Sequence, residues 1–198
     1  MRYNELTFQG RNAVLEAFRS GKTIDKLFIL DGCQDGPIKS IVREAKKTDA
    51  IINYVDKERL DRLAGTGHHQ GVVAIGAAYE YAEVEDILAA AKEKGEDPFI
   101  FILDEIEDPH NLGAIIRTAN LAGAHGVIIP KRRAVGLTAT VAKTSAGAIN
   151  YTPVAKVTNI SQTIEELKKQ GLWFVCADMG GETMYNLNLK GPIGLVIL

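Results

Sequence analysis

The sequence has little cysteine and no long apolar run. Its two cysteines, Cys33 and Cys176, lie far apart, and neither has a CxxC partner. This argues against a disulfide or a zinc site and predicts reduced thiols in a cytoplasmic protein. No apolar run approaches the roughly 20 residues that span a bilayer, and the start MRYNELTFQG has no basic-then-apolar signal peptide. We therefore expect neither a membrane span nor export.

An excess of positive charge is also absent. The 198 residues carry a formal net charge of −2, with 46% hydrophobic and 24% charged residues, as is ordinary for a globular protein. This balance argues against a broad, non-specific polyanion binder, which needs many Lys and Arg contacts to phosphate. Local basic clusters can still bind a structured RNA.

A further absence concerns nucleotide-binding signatures. No G-x-G-x-x-G follows a predicted strand, which weakens the hypothesis of an α/β protein of the dinucleotide-binding type. The adjacent residues His68 and His69 have no Cys, Asp or Glu near them at ligand spacing, so we expect no metal site there.

Strands and helices alternate in the first part of the chain. The patterns predict helices over 11–20, 38–47 and 57–65 and strands over 26–32, 51–55 and 71–77. Such alternation predicts a compact three-layer α/β domain over residues 1–77. Residues 78–97 are polar and helix-forming, and we expect them to form a linker.

A second α/β series follows over residues 98–198. Buried-type strands are predicted over 99–106, 126–130, 149–157, 172–179 and 191–198, and helices over 112–124, 138–148 and 160–171. Strand, helix and strand at this spacing imply right-handed crossovers. The fold class is therefore α/β, with a doubly wound parallel sheet in the second domain.

Residues 10–12 form a candidate RNA contact. Gly10, Arg11 and Asn12 stand at a turn that opens a helix, where exposed N–H groups favour an anion. Arg11 adds a fork of donors, and Asn12 can pair with a base edge. The simpler alternative is that Asn12 is an ordinary N-cap and Arg11 a solvated surface residue.

The strongest candidate for catalysis is the segment 103–130. A buried strand ends near Asp104, a tight loop follows, and a helix begins near Leu112, so the loop lies where α/β sheets collect active groups. Asn111 is placed to cap that helix or present its amide to a ligand, and Arg117 can reach back to the loop. In the alternative, Asn111 only caps and Arg117 only pairs with Glu105 or Asp108.

The segment 104–119 resembles the first motif of the SpoU/TrmH branch of the SPOUT superfamily. The shared pattern is D-x-x-x-D-P-x-N-x-G-x-x-x-R-x-A. The resemblance implies transfer of a methyl group from S-adenosylmethionine to a ribose 2′-hydroxyl of RNA, with Asn111 and Arg117 as catalytic residues. An arginine is an unusual base because it stays protonated. Arg117 therefore has two candidate roles: to accept the proton, or to clamp RNA phosphate and stabilise the developing alkoxide.

The resemblance extends to both domains. The GRN segment and its surroundings are similar to the L30e-like RNA-binding domain at the front of many SpoU/TrmH enzymes. The similarity implies that Arg11 and Asn12 bind RNA. VAKTSAGA (141–148) resembles a family segment in which Lys143 would face RNA. Ala177 and Asp178 match, more loosely, the strand end that borders the cofactor's adenine.

A basic loop adds a further candidate contact with RNA. It follows the strand 126–130 and consists of Lys131, Arg132 and Arg133. An RNA-phosphate contact suits its location beside the proposed site. The alternative is a solvated loop.

The family pattern extends past Leu198. Its G-x-E-G-x-G loop and S-L-N-V-S helix, which form a knot and supply most of the S-adenosylmethionine pocket, are absent from these 198 residues. We therefore expect this segment alone to be inactive. The resemblance implies a homodimer and favours ribosomal RNA, with 23S rRNA guanosine as the target. A tRNA methyltransferase and a non-catalytic RNA-binding protein are the alternatives.

Overall fold

The chain divides into two compact units. The computed structural model of the protein describes residues 6–48, 50–65 and 68–198. The first unit extends to Glu80 and includes Gly136–Ala139, and the second comprises Tyr81–Val135 and Thr140–Leu198. Within the described ranges, no helix is both long enough and apolar enough to cross a membrane.

The first unit is built on a four-stranded mixed sheet. Its elements are β1 (Leu6–Gln9), α1 (Arg11–Arg19), β2 (Ile24–Leu30), α2 (Gly36–Lys47), β3 (Ile51–Val55), α3 (Lys57–Ala64) and β4 (Val72–Gly76). The strand order is β1-β4-β2-β3; β2 is parallel to β3, whereas β4 is antiparallel to β1 and β2. Strand β1 was not predicted, because its four residues are too few to show a clear alternation.

Helices cover both faces of this sheet. On one face, Val14 of α1 and Ile41 of α2 pack in a core with Leu27 of β2. On the other face, Leu60 of α3 packs with Phe28. Successive residues of β2 point to opposite faces, so this strand, which is apolar at both positions, contributes to both cores. The result is the predicted three-layer arrangement.

The second unit contains a five-stranded sheet in which every strand pair is parallel. Its elements are α4 (Val84–Lys94), β5 (Phe99–Leu103), α5 (Pro109–Leu121), β6 (Gly126–Pro130), α6 (Ala139–Thr144), β7 (Val154–Val157), α7 (Ile160–Lys169), β8 (Trp173–Ala177) and β9 (Ile193–Ile197). The strand order is β7-β6-β5-β9-β8. A parallel sheet was predicted, and the structure confirms it.

Helix α4 lies inside the stretch that the sequence indicated as a linker. Its Ile87 is fully buried and packs with Ile100 and Ile128 in the core of the second unit. A Cβ at Gly126 would lie 2.5 Å from Ile87 Cδ1, so β6 needs a glycine where this side chain crosses it. Residues 81–94 thus belong to the second unit.

The segment 138–157 differs most from the sequence expectations in the second unit. The helix predicted over 138–148 ends at Thr144, because Ala146 and Gly147 adopt positive φ angles of 50° and 89° that no right-handed helix accommodates. A short 3₁₀ helix occupies 148–150, so the strand predicted over 149–157 begins only at Val154.

Candidate active site

The strands of the second unit end at one edge of the sheet, and the candidate catalytic segment begins there. The register pairs Leu103 of β5 with Ile197 of β9, and Ile197 with Ala177 of β8. The ladder extends one step beyond β5, since the N–H of Asp104 donates to the carbonyl of Ile197 at 2.9 Å. Strand β6, which follows β5 in the chain, lies on one side of β5 in the sheet, and β9 lies on its other side. Such a change of direction creates the crevice in which α/β sheets bind ligands.

Asp108, not Asn111, caps helix α5. Its Oδ1 accepts hydrogen bonds from the N–H groups of His110 at 2.6 Å and Asn111 at 3.3 Å. Pro109 is the first helical residue, which suits a position whose N–H would have no helical partner. The interpretation of Asn111 as the cap is therefore wrong. Its side chain is exposed in the first turn, where it can contact a ligand.

Arg117 is exposed on α5, one turn after Gly113 on the same side of the helix. Across the described ranges, its guanidinium forms no hydrogen bond or ion pair. The alternative that Arg117 pairs with Glu105 or Asp108 is therefore contradicted. Asp108 is used as the helix cap, and Glu105 pairs with a different arginine.

That arginine is Arg133, in the loop after β6. Its Nη1 lies 2.6 Å from Glu105 Oε1, and the N–H of Val135 donates to the carbonyl of Ile106 at 2.9 Å. Glu105 and Arg133 both have a φ of 57°, which non-glycine residues seldom adopt. The loops after β5 and β6 are thus held together by one side-chain pair and one backbone hydrogen bond.

Gly113 permits a close approach between α5 and the end of α6. A Cβ at this position would overlap the Oγ1 of Thr144 and lie 2.9 Å from the backbone nitrogen of Ser145. The Thr144 hydroxyl also donates to the carbonyl of Pro109 at 3.2 Å. Lys143, in the last turn of α6, is exposed.

The predicted basic loop and the predicted cofactor residues lie on opposite sides of β5. Lys131 directly follows β6, and Arg132 and Arg133 are exposed. Ala177 ends β8 and Asp178 follows it, both exposed, on the other side of β9. Two strand spacings of about 4.8 Å separate β8 from β5, so Ala177 lies about 10 Å from Leu103.

The first unit places Arg11 and Asn12 at the start of α1. The N-cap is Gly10, with a φ of 84° and no side-chain cap, so the interpretation of Asn12 as an N-cap is wrong. Asn12 is exposed. Arg11 is not simply solvated: its Nη2 lies 2.5 Å from Asp35 Oδ2, and its Nε donates to the carbonyl of Gln70 at 3.1 Å.

His69 has a structural role within this unit. It is 5% exposed; its Nδ1 accepts from the N–H of Gly71 at 3.0 Å, and its Nε2 lies 2.9 Å from Asp61 Oδ1. These contacts orient the loop that carries Gln70. No local sequence signal could have linked Gln70 or Asp35 to Arg11, because 59 and 24 residues separate them.

Comparison with known families assigns both units. A profile described as SpoU rRNA Methylase family matches residues 98–197, and one described as RNA 2′-O ribose methyltransferase substrate binding matches residues 9–82. The two profiles define a class of protein: RNA methyltransferases with a separate substrate-binding unit.

Relatives agree with this class. The chain is 51% identical over 189 residues to YacO of Bacillus subtilis (strain 168), covering 95% of this chain and 76% of YacO. It is 45% identical over 194 residues to a protein of Staphylococcus haemolyticus (strain JCSC1435), covering 98% and 78%. Both carry the name of the TrmH family of tRNA/rRNA methyltransferases. The chain therefore belongs to the SpoU/TrmH family of RNA methyltransferases.

Solved structures share the fold. The SpoU methyltransferase AviRb from Streptomyces viridochromogenes, in complex with AdoMet, superposes with a TM-score of 0.52 at 20% identity, covering 98% of this chain and 72% of AviRb. An rRNA methyltransferase from Sinorhizobium meliloti gives 0.51 at 23% identity, covering 96% and 70%. At these identities, the likeness supports the fold only.

Proposed function

We propose that the protein transfers a methyl group from S-adenosylmethionine to a ribose 2′-hydroxyl of RNA. The observation that carries this proposal is the exposed guanidinium of Arg117, unpaired among the described residues, on the helix that starts at the carboxyl end of β5. The two acids that the sequence offered as its partners have other contacts, Asp108 as a helix cap and Glu105 with Arg133. The charge of Arg117 therefore remains available for RNA.

The carboxyl ends of β9 and β8 are where S-adenosylmethionine, the donor of the methyl group, would bind. Asp178 is exposed there and accepts a hydrogen bond from the N–H of Met179 at 2.7 Å. A carboxylate has acceptor sites beyond one such bond, and these suit ribose hydroxyls. Ala177 and Asp178 would border the adenosine, and S-adenosylmethionine would supply the electrophilic methyl group when bound.

Arg117 acts electrostatically in this proposal. The exposed guanidinium offers N–H donors and no acceptor, so its chemistry favours the role of clamp over that of base. Arg117 would hold the RNA phosphate or the ribose oxygen and stabilise the negative charge that develops there, while the hydroxyl proton leaves to water. The exposed amide of Asn111, nearer the start of the same helix, would orient the ribose.

The RNA surface of the second unit would consist of the basic loop and Lys143. Arg132 and Lys143 are exposed, and neither forms an ion pair within the described residues. Arg133 pairs with Glu105, and its side chain is still 71% exposed. Clustered cations of this kind bind phosphate without sequence preference. Specificity would then come from the first unit, where Arg11 and Asn12 lie.

Ribosomal RNA is the substrate that we favour, with a guanosine of 23S rRNA as the target in the cytoplasm. Support comes from the rRNA methylase profile that matches the second unit, in a chain that also carries a substrate-binding unit. A tRNA target is the second candidate, since the similar proteins are named for both RNAs. Mapping 2′-O-methyl marks in a deletion strain tests both. Loss of a 23S mark supports the first, loss of a tRNA mark supports the second, and loss of neither contradicts the activity.

We also propose a homodimer through the second unit. The segment between β8 and β9 exposes large apolar side chains, including Met179, Met184 and Tyr185. Exposed apolar clusters of this kind mark interaction surfaces. Sedimentation of the full-length protein tests the assembly. A dimer that Tyr185→Asp dissociates supports it, and a monomer at micromolar concentration contradicts it.

A further inference from the structure

The first unit contains an open pocket at the start of α1. Its volume is about 610 Å³, which lies within the roughly 300–1,000 Å³ of small-ligand sites. The lining residues come from three separate stretches of the chain: Arg11, Asn12, Leu30, Cys33, Pro37, Gln70 and Gly71. Polar and apolar groups therefore face the same space.

Arg11 lines this pocket, and its side chain is held in one orientation. Its guanidinium is held at two points, by Asp35 Oδ2 on Nη2 at 2.5 Å and by the carbonyl of Gln70 on Nε at 3.1 Å. The ion pair with Asp35 already neutralises much of its charge. Arg11 therefore offers an oriented plane more than a free cation, and a guanidinium plane is a surface on which nucleic-acid bases stack.

The other side chains that line the pocket carry no charge. Leu30, Cys33 and Pro37 give the pocket an apolar part suited to the face of a base. The exposed amide of Asn12 forms no hydrogen bond to any described residue, so it is available to a base edge. In the same turn of α1, the N–H groups of Asn12 and Ala13 have no described acceptor, which suits a phosphate.

The Gln70–Gly71 turn is held in place before any ligand arrives. Gln70 has a φ of 50°, and its Oε1 accepts from the N–H of Arg11 at 3.2 Å. The N–H of Gly71 donates to the buried His69, and a Cβ at Gly71 would lie 3.1 Å from Cys33 Sγ. Because this turn is already ordered, it loses little conformational entropy when a ligand binds.

We propose that this pocket binds one unpaired nucleotide of the RNA, with its base stacked on the Arg11 guanidinium and its edge hydrogen-bonded by Asn12. The inference rests on the proposed function, because the nucleotide belongs to the RNA substrate. This pocket differs from a site that binds phosphate by charge alone, because the planar shape of the Arg11 guanidinium is needed for stacking.

Cys33 provides a direct measurement, because its thiol lines the pocket. Full-length protein is alkylated with N-ethylmaleimide, and the rate at the Cys33 peptide is followed by mass spectrometry, with N-acetylcysteine in the same tube as the reagent reference. The probes are a short single-stranded RNA, the blunt duplex of the same sequence, and inorganic phosphate. We expect single-stranded RNA to slow alkylation of Cys33 and the other two probes to have little effect. Equal protection by the duplex, or by inorganic phosphate, overturns the proposal.

A charge-conserving variant separates stacking from simple attraction. We expect Arg11→Lys to weaken binding of single-stranded RNA roughly tenfold and to abolish protection of Cys33, because lysine has no planar group to stack. Arg19→Lys, on the same helix, is the control and should change neither. Asn12→Ala, at an exposed position, is the second variant and should also reduce protection.

The outcomes distinguish this inference from the proposed function. Unchanged binding and protection in Arg11→Lys overturn the pocket while methyl transfer to RNA persists. Absence of any 2′-O-methyl product when the unmodified protein is given either 23S rRNA or tRNA contradicts the proposed function instead. Circular dichroism of each variant confirms that the fold is retained before binding is compared.

Discussion

Glu105 and Arg133 join the two loops beside the candidate active site. Their side chains form an ion pair of 2.6 Å, and both residues have a φ of 57°. The pair is largely exposed, with side-chain accessibilities of 57% and 71%. Exposed pairs contribute little to stability, so this one serves mainly to hold the loop after β5 against the loop after β6.

Breaking this pair should therefore affect turnover more than stability. We expect Glu105→Gln to lower kcat severalfold while the free energy of unfolding changes by about 1 kcal/mol or less. Urea unfolding and steady-state methylation measure the two effects. The double variant Glu105→Arg with Arg133→Glu restores the opposite charges and should recover part of the lost kcat. A loss of several kcal/mol would show that the pair is instead structural.

Removing the Arg117 guanidinium tests the catalytic proposal. In the full-length protein, we expect Arg117→Ala to lower kcat by about 10²–10³, the usual effect of losing one group that stabilises transition-state charge. RNA affinity should fall far less, because the basic loop and the first unit remain. Transfer of a labelled methyl group to RNA measures kcat, and filter binding measures affinity. Lys92→Ala, an exposed cation on α4, is the control. Near-normal turnover in Arg117→Ala would remove this residue from the mechanism.

Gly113 should tolerate no side chain. The Cβ of Gly113→Ala would overlap the Oγ1 of Thr144 and lie 2.9 Å from the nitrogen of Ser145, so helix α5 or the end of α6 must move. Overpacking of this kind costs about 1–3 kcal/mol. Thermal or urea unfolding measures the loss. Gly180→Ala is the matched control, because no described atom lies within 4 Å of the Cβ added there. Equal stability of the two variants would contradict the close approach of α5 and α6.

Asp108 should be replaceable only by another capping residue. Its Oδ1 accepts from the N–H groups of His110 and Asn111, so Asp108→Ala leaves both donors without this partner. Loss of an N-cap costs about 0.5–2 kcal/mol. Asp108→Ser keeps a side-chain oxygen and should retain most of the stability, as differential scanning calorimetry can show. If alanine and serine behave alike, the cap contributes nothing measurable.

The order of helices and strands could largely be predicted from the sequence. Runs such as Phe99–Leu103 and Gly126–Pro130 are apolar throughout, as strands buried on both faces of a parallel sheet must be. Strand β1 and the antiparallel direction of β4 could not be predicted, because strand direction depends on pairing partners far along the chain. The ends of some helices differ from the predicted ends because a single residue sets the boundary. Asp108, for example, caps α5 and makes it begin at Pro109.

The motif from Asp104 to Ala119 identifies the family and locates the candidate catalytic residues without a structure. It can do so because the motif is local and each of its residues has a fixed place on a strand, a loop or a helix. The contacts of the charged side chains, in contrast, depend on how the chain folds. Glu105 pairs with Arg133 and leaves Arg117 available, and Arg11 is fixed by Asp35 and Gln70. An ion pair forms wherever the fold brings opposite charges within about 4 Å, and the spacing of residues along the chain does not indicate that distance.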